Sequence, residues 1–284
     1  MNTIKFENVD FSYVKKAPLL SNLNLQVTPG HIHGLLGKNG EGKSTLLKLI
    51  AGLIFPKSGK IEVMGFTPRK RNPEMLRDIF FFPEELPVFS LKITDFQKAY
   101  APFYPKFSAE QFDNYLKEFE IYSKDLKLNK LSFGQKKKVL VAFGLATNTK
   151  ILLMDEPTNG MDIPSKGQFR RMVASVIDEN RCVIISTHQV RDLDSLIDSI
   201  IIMDEHEIIF NESVDKITEK LLFKVYDKNE KDASIIYSEE NLHGFYQVRE
   251  NLNHEESKLD IELLFNSVHT NKRKIKEIFT QTTK

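Results

Sequence analysis

The 284-residue sequence predicts an α/β fold built on buried parallel strands, with an inserted helical segment and a small α+β appendage. Three observations carry this. Residues 37–44, Gly37-Lys38-Asn39-Gly40-Glu41-Gly42-Lys43-Ser44, complete the phosphate-binding pattern G-x-x-x-x-G-K-[ST] between an apolar run and a helical one. Ile151-Leu152-Leu153-Met154 is followed by Asp155-Glu156. Such a run reads as a fully buried parallel strand delivering carboxylates to its C-terminal edge, where ligands bind in open α/β folds. Between about 88 and 135 the pattern turns helical, with no convincing strand, as an insertion would.

The totals narrow the possibilities. Hydrophobic content of 41% and charged content of 28% describe an ordinary globular chain. Lys+Arg 40 against Asp+Glu 39 leaves +1, so no global charge argues for nucleic acid or an acidic membrane surface. The single cysteine, Cys182, excludes an internal disulfide and sits in a run that reads as a buried strand. No signal peptide opens the chain, and no apolar run approaches the ~18–20 residues of a membrane helix. A cytosolic protein is expected, with any membrane role coming through a partner.

In chain order, residues 3–8 and 22–27 read as strands, the second alternating Leu23, Leu25 and Val27 before Thr28-Pro29-Gly30. Tyr13 lies between them, either a plug on the core or a platform for an adenine ring, and the residues alone leave both open. His31 and His33 share a face at a spacing two metal ligands could use. With no Cys or acidic partner nearby they read as strand filler. Residues 32–36 form a short buried strand, and 45–51 a helical run stopped by Gly52. Further strands are expected at 60–64 and 79–82, the latter ending at Pro83-Glu84-Glu85. Arg69-Lys70-Arg71 reads as a solvated loop.

Within the helical insertion Thr94 is assigned as a cap. Ser108-Ala109-Glu110-Gln111 reads as a capping box opening a helix with Phe112, Tyr115, Leu116 and Phe119 on one side. Residues 181–187 form a buried strand ending at His188, and 199–203 and 207–210 a hairpin. Beyond Lys216, residues 223–226, 234–237, 245–249 and 259–265 read as short strands and 272–280 as a basic helix. An appendage of roughly 65–70 residues is near the lower limit for an independent core, so it should lean on the main domain or on a second copy.

Residue types dictate the chemistry of the phosphate loop. Its glycines let the backbone curl so that successive N–H groups face one concavity, which attracts anionic oxygens. Lys43 adds positive charge for terminal phosphates, and the Ser44 hydroxyl is a hard oxygen ligand for Mg²⁺. The following helix aims its positive dipole end at the same phosphates. Mg²⁺-nucleotide also needs a carboxylate, which Asp155 supplies, while Glu156 can orient and deprotonate an attacking water. A lone strand-end histidine is usually structural. His188 ends a strand at the edge that holds these acids, and is assigned to the γ-phosphate.

Over residues 1 to about 212 the chain resembles the ATP-binding cassette (ABC) ATPases. Leu131-Ser132-Phe133-Gly134-Gln135 looks like the family signature L-S-G-G-Q. It stands in order after the phosphate loop and helical insertion, and before Asp155-Glu156, Asn159-Gly160-Met161-Asp162 and His188. The resemblance implies a P-loop NTPase fold with an antiparallel β subdomain and a helical subdomain at about 88–135. It also implies an ATPase domain over 1–215 and a C-terminal accessory domain over 216–284. Two protomers would meet head to tail, ATP on one phosphate loop being closed over by the signature of the other. Ser132 and the Gly134 N–H open a helix, a second anion-binding end.

By similarity, Tyr13 stacks on adenine, and Gly37, Lys38, Asn39, Gly40, Glu41, Gly42, Lys43, Ser44 and Thr45 hold the phosphates. Ser132, Gly134 and Gln135 close on the neighbour's ATP, and Asp162 lies on a loop that touches the opposite protomer. Ser44 and Asp155 serve Mg²⁺, Glu156 the water and His188 the γ-phosphate. One cassette per chain implies a homodimer or pairing with a related ABC ATPase. Two departures stand out. Glu84 occupies the place of a glutamine that touches metal or water and senses the transport subunit. Its carboxylate can still serve Mg²⁺, but would repel the γ-phosphate without the metal. Phe133 replaces a signature glycine and either narrows the clamp or packs on the helical subdomain, with function expected to persist.

The function this favours is the ATP-hydrolysing subunit of a transporter whose permease is a separate polypeptide. Asn159-Gly160-Met161-Asp162 and the small C-terminal extension resemble single-cassette exporter subunits, which points to export. The rival is a soluble ABC ATPase acting on nucleic acid or ribosomes. Such proteins carry tandem cassettes, long coiled-coil insertions or basic linkers, none of which is visible. A third reading, a regulator that binds ATP without hydrolysing it, has no use for Asp155-Glu156 with His188.

Overall fold

The computed structural model describes residues 3–14, 17–87, 90–190, 196–228 and 232–280; the first two positions of the expected helical subdomain, 88 and 89, fall outside them. Its first elements are β1 (Ile4–Phe11), β2 (Leu20–Val27), β3 (Ile32–Leu36), α1 (Lys43–Ile50) and β4 (Ser58–Val63). Strands β2, β1 and β4 form an antiparallel sheet in that order, Ile4 lying opposite both Val27 and Val63. There follow α2 (Pro73–Leu76), β5 (Ile79–Phe82), α3 (Ile93–Tyr100), α4 (Ala109–Glu118), α5 (Phe133–Ala146) and β6 (Ile151–Asp155). Then come α6 (Ile163–Ser175), β7 (Cys182–Thr187), β8 (Ser199–Asp204) and β9 (Glu207–Ser213).

The main sheet runs β5-β6-β7-β3-β8-β9, parallel except for β9. Every residue of β3, β6 and β7 is buried, as strands covered on both faces require. Alternation sends Leu35, Leu153 and Ile184 into a core shared with α1 and the antiparallel sheet. Leu36, Leu152, Met154, Val183 and Ile185 go to the opposite core, shared with the helical insertion and the appendage. Register then aligns the strand ends. Leu36 is opposite Thr187, Asp155 opposite Ser186, and Phe82 opposite Met154, so the segments after β3, β5, β6 and β7 emerge at one edge.

The helical insertion closes on Phe143 of α5, whose ring lies 5.0 Å from Phe96 and Phe107 and 5.7 Å from Phe112. Thr94 is not a cap. It lies inside α3, behind the N-cap residue Lys92, and its hydroxyl donates to the carbonyl of Lys124. Fully buried Ile93 draws the first turn two residues earlier. Ser108 does cap α4 by accepting from Gln111 N–H, while the Gln111 side chain accepts from Asn148.

Ser213 ends β9 and caps α7 (Val214–Lys220), which leads into the appendage: β10 (Leu221–Tyr226), β11 (Ile235–Asn241), β12 (Gly244–Glu250), α8 (Ile261–Thr270) and α9 (Lys272–Thr280). Its strands form an antiparallel sheet in the order β10-β12-β11. The strand expected at 259–265 is instead the start of α8. Asp260 accepts from Leu263 N–H as its N-cap, and Ile261, Leu264 and Val268 are buried at helical spacing. The appendage packs on the main domain, sharing one buried cluster with it, and Phe279 meets Phe210 edge-on at 5.0 Å. Cys182 is a core residue, its thiol pushed up to about 12 by burial. Among the described residues no helix is long and apolar enough to cross a membrane.

Candidate functional site

After β3 the chain turns through the glycines of residues 37–42 into α1, with Gly42 as the N-cap residue at φ 105°. That left-handed conformation is open to glycine and strained for other residues. Lys43 folds back over the loop, its Nζ donating to the carbonyls of Gly37 (2.7 Å) and Lys38 (3.0 Å). Burial lowers its pKa, opposed by the charges of Glu156, Asp155, Glu84 and Glu41. Tyr13 is 60% exposed, which excludes the core-plug reading. Phe11 meets its ring edge-on at 4.8 Å, and its hydroxyl lies 3.2 Å from Thr45 Oγ1.

At the ends of β6 and β7 the two acids are buried and held. Asp155 accepts from Ser186 Oγ at 2.5 Å. Glu156 lies just past β6 at φ 47°, its N–H donating to Ser186 O. Its Oε1 accepts from the His188 N–H at 3.0 Å and lies 2.8 Å from His188 Nδ1, while Oε2 accepts from Thr187 Oγ1 at 3.3 Å. A carboxylate in that position accepts, so Nδ1 carries the proton and Nε2 is left for another partner. Glu84 is exposed on the segment after β5.

Three His, Cys, Asp or Glu side chains do not converge as a metal cage among the described residues. Ser44 and Asp155 are nevertheless hard oxygen donors of the kind Mg²⁺ takes one or two at a time beside substrate phosphates, so the donor set fits that ion. His31 and His33 are committed elsewhere, His31 Nδ1 to Pro29 O and His33 Nε2 to Thr28 O, in keeping with strand filler.

Ser132 to Gln135 open α5 as a complete capping box, Gln135 N–H donating to Ser132 Oγ and Ser132 N–H to Gln135 Oε1. Ser132, Phe133 and Gln135 are exposed. The Phe133 ring rests on Gly160, where an added Cβ would stand 2.8 Å from Cδ1. Gly134 approaches as closely, since a Cβ there would meet Gly160 O at 2.8 Å. Asp162 caps α6 through Ser165 N–H, the contacts to Ser165 holding its carboxyl below the usual range.

Several residues of this region carry no motif signal. Ser186 and Thr187 are ordinary strand residues in sequence, marked only by preceding His188. Lys137 is one of three consecutive lysines, yet it is fully buried, and its Nζ donates to Glu156 O at 2.5 Å. From the appendage, His269 Nε2 lies 2.8 Å from Lys38 Nζ, and His269 Nδ1 lies 3.0 Å from Asp204 Oδ2. Burial raises the Asp204 pKa and Lys272 and His269 lower it, leaving it below the ordinary value. A cleft of about 580 Å³ separates the loop at Gly37 and Lys38 from His188 on one side and Phe265 and Asn266 of α8 on the other.

Comparisons with known proteins agree with one another. The family described as ABC transporter matches residues 20–159. The bacitracin transport ATP-binding protein BcrA of Bacillus licheniformis is 32% identical over 218 residues, spanning 74% of this chain and 71% of that protein. The ABC transporter ATP-binding protein YtrB of Bacillus subtilis is 27% identical over 229 residues, 79% of this chain and 76% of its own. A solved ATP-binding subunit of an ABC transporter superposes with TM-score 0.69 at 21% identity, covering 76% of this chain and 91% of that one.

Proposed function

The chain belongs to the family of ABC transporter ATP-binding proteins and is an ATPase, and we propose that it powers export through a separate membrane-spanning subunit. The observation that carries the proposal is the clasp on Glu156, a carboxylate 4% exposed and held by His188 at the sheet edge where Lys43 also lies. A protein that only binds nucleotide has no use for a buried base beside its phosphate loop.

In this reading ATP lies on the N–H groups of residues 37–45 with Lys43 at the terminal phosphates, and the adenine stacks on the open face of Tyr13. Ser44 and Asp155, with Glu84 from the end of β5, hold Mg²⁺, which when bound neutralises phosphate charge. Glu156 takes a proton from the attacking water as its oxygen bonds to the γ-phosphorus. The bond from that phosphorus to the bridging oxygen breaks, and ADP leaves with the electron pair. Protonated on both ring nitrogens, His188 donates Nδ1–H to Glu156 and Nε2–H to the γ-phosphate.

Ser132, Gly134 and Gln135 act on the ATP of a neighbour and Asp162 touches the opposite protomer, so the partner is a second copy or a related ABC ATPase. Phe133, 50% exposed, and Ile163, 85% exposed, give that rim apolar surface suited to a protein contact. A membrane subunit is proposed for the groove of about 720 Å³ between the end of α1 and the helical insertion, where Leu53, Phe81 and Phe103 line the walls. The chain would then work peripherally at the cytoplasmic face of the membrane. Export is supported by the Asn159-to-Asp162 segment and the C-terminal extension, and a transport role by kinship with a protein named for bacitracin transport.

Steady-state ATPase rates of wild type and Glu156→Gln test the enzyme reading, with a fall of at least a hundredfold expected and equal rates overturning it. EDTA is expected to abolish wild-type turnover and added Mg²⁺ to restore it. Co-purification from membranes with a spanning subunit tests the transport role; a chain that instead fractionates with ribosomes would overturn it.

A further inference from the structure

Lys137 is a buried cation whose presence the packing of α5 does not explain. It is 0% exposed, whereas Lys136 and Lys138 reach solvent. Its Nζ donates to Glu156 O, and the rest of the ammonium faces the rings of Phe133 at 5.1 Å and Phe82 at 5.7 Å. Burial pushes its pKa down to about 8, against the opposing charges of Glu156, Glu84 and Asp155. A desolvated charge is a poor source of stability, and an apolar side chain of equal volume would serve a core at least as well.

The carbonyl that it holds belongs to a residue with an unusual backbone. Glu156 is not glycine, yet it sits at φ 47°, and such a conformation persists where its surroundings over-determine it. Ser186 O takes the Glu156 N–H from one side, and Lys137 grips the carbonyl from the other. Around this grip the start of α5 is fastened to residues 156–162. Phe133 covers Gly160, Gly134 abuts Gly160 O, and Lys138 Nζ lies 3.7 Å from Asp162 Oδ2.

We propose that Lys137 is a positioning residue for ATP hydrolysis: through the Glu156 carbonyl it aims the carboxylate of its own site from the helix that carries the signature. The inference rests on the reading of Glu156 as the group that takes the water's proton. It goes further in joining, on one rigid segment, the signature that acts on a neighbour's ATP and the base that acts on the protomer's own.

The test is ATPase kinetics and thermal melting of the full-length Lys137→Met and Lys137→Gln variants, with Glu156→Gln beside them. Lys137→Met is expected to lower kcat at least tenfold, leave the KM for ATP within threefold, and melt no lower than wild type. Lys137→Gln, which keeps a donor without the charge, is expected to recover kcat to within threefold of wild type. Unchanged kcat in Lys137→Met, or a lowered melting temperature as its sole effect, overturns the proposal. Should that variant not fold, Lys137→Gln is compared with Lys137→Asn, an amide one methylene shorter in reach, and equal turnover of the two overturns it. Loss of turnover in Glu156→Gln alone leaves the reading of Glu156 standing and removes the role of Lys137. Turnover retained in Glu156→Gln removes the reading itself.

Discussion

His33 is 3% exposed, its Nε2 donates to Thr28 O, and burial pulls its pKa from 6.5 down to about 4. Between those two pH values the unfolded chain binds a proton there and the folded chain does not. The stability His33 contributes is therefore complete above pH 6.5 and is lost as the pH falls toward 4, by about 3 kcal/mol at ~1.4 kcal/mol per pH unit. Urea unfolding of wild type and His33→Leu between pH 7 and 4.5 should show a steeper acid loss for wild type; parallel profiles would refute the assignment. The candidate site shows the same dependence on surroundings. Asp155, Glu156 and His188 were legible from residue type and strand-end position. Their mutual arrangement rests on Ser186, Thr187 and Lys137, which no spacing rule marks, because their role lies in partners brought in by the fold.

Among the elements, α5 is specified by its own first turn. Ser132 and Gln135 satisfy two N–H groups that the helix leaves open, so Ser132→Ala is expected to cost about 1 kcal/mol in chemical denaturation. Phe133→Gly takes a ring away from Gly160 and Lys137 and is expected to alter ATP-driven dimerisation, measured by light scattering in a Glu156→Gln background. Unchanged dimerisation would show the ring to be incidental to closure. Helix α8 is the element that sequence misread. Residues 259–265 alternate in a way that suits a strand, yet Leu264 and Val268 continue a helical face and Asp260 caps it. Short apolar runs are ambiguous by period, and here the cap and the packing partner settle the choice. Thr94 illustrates the converse, a good capping residue displaced because Ile93 is drawn into the core.

Across the whole molecule the appendage is continuous with the ATPase core. Ile217, Leu221, Leu264 and Ile278 belong to the buried cluster that also holds Leu36, Met154 and Phe210. Leu264→Ala is expected to cost 2–5 kcal/mol and to lower the single melting transition of the entire chain; a separate low-temperature transition would indicate an independently folding appendage. The appendage also reaches the nucleotide end, through His269 at Lys38, two residues from Gly40 of the phosphate loop. Composition could not announce that contact, because its partners are 231 residues apart.

Local residues were enough to establish the strand–loop–helix of the phosphate site, the acid pair at the end of a buried strand, and the capped helix behind Ser132. In each case the chemistry depends on neighbours a few positions away: backbone N–H groups, glycine conformations and a run of apolar side chains. Three-dimensional packing alone supplied the alignment of four strand ends at one edge, the turn of His188 onto Glu156, and the grip of Lys137 on a strained carbonyl. These depend on strand register and on burial, properties of chain segments that meet only after folding.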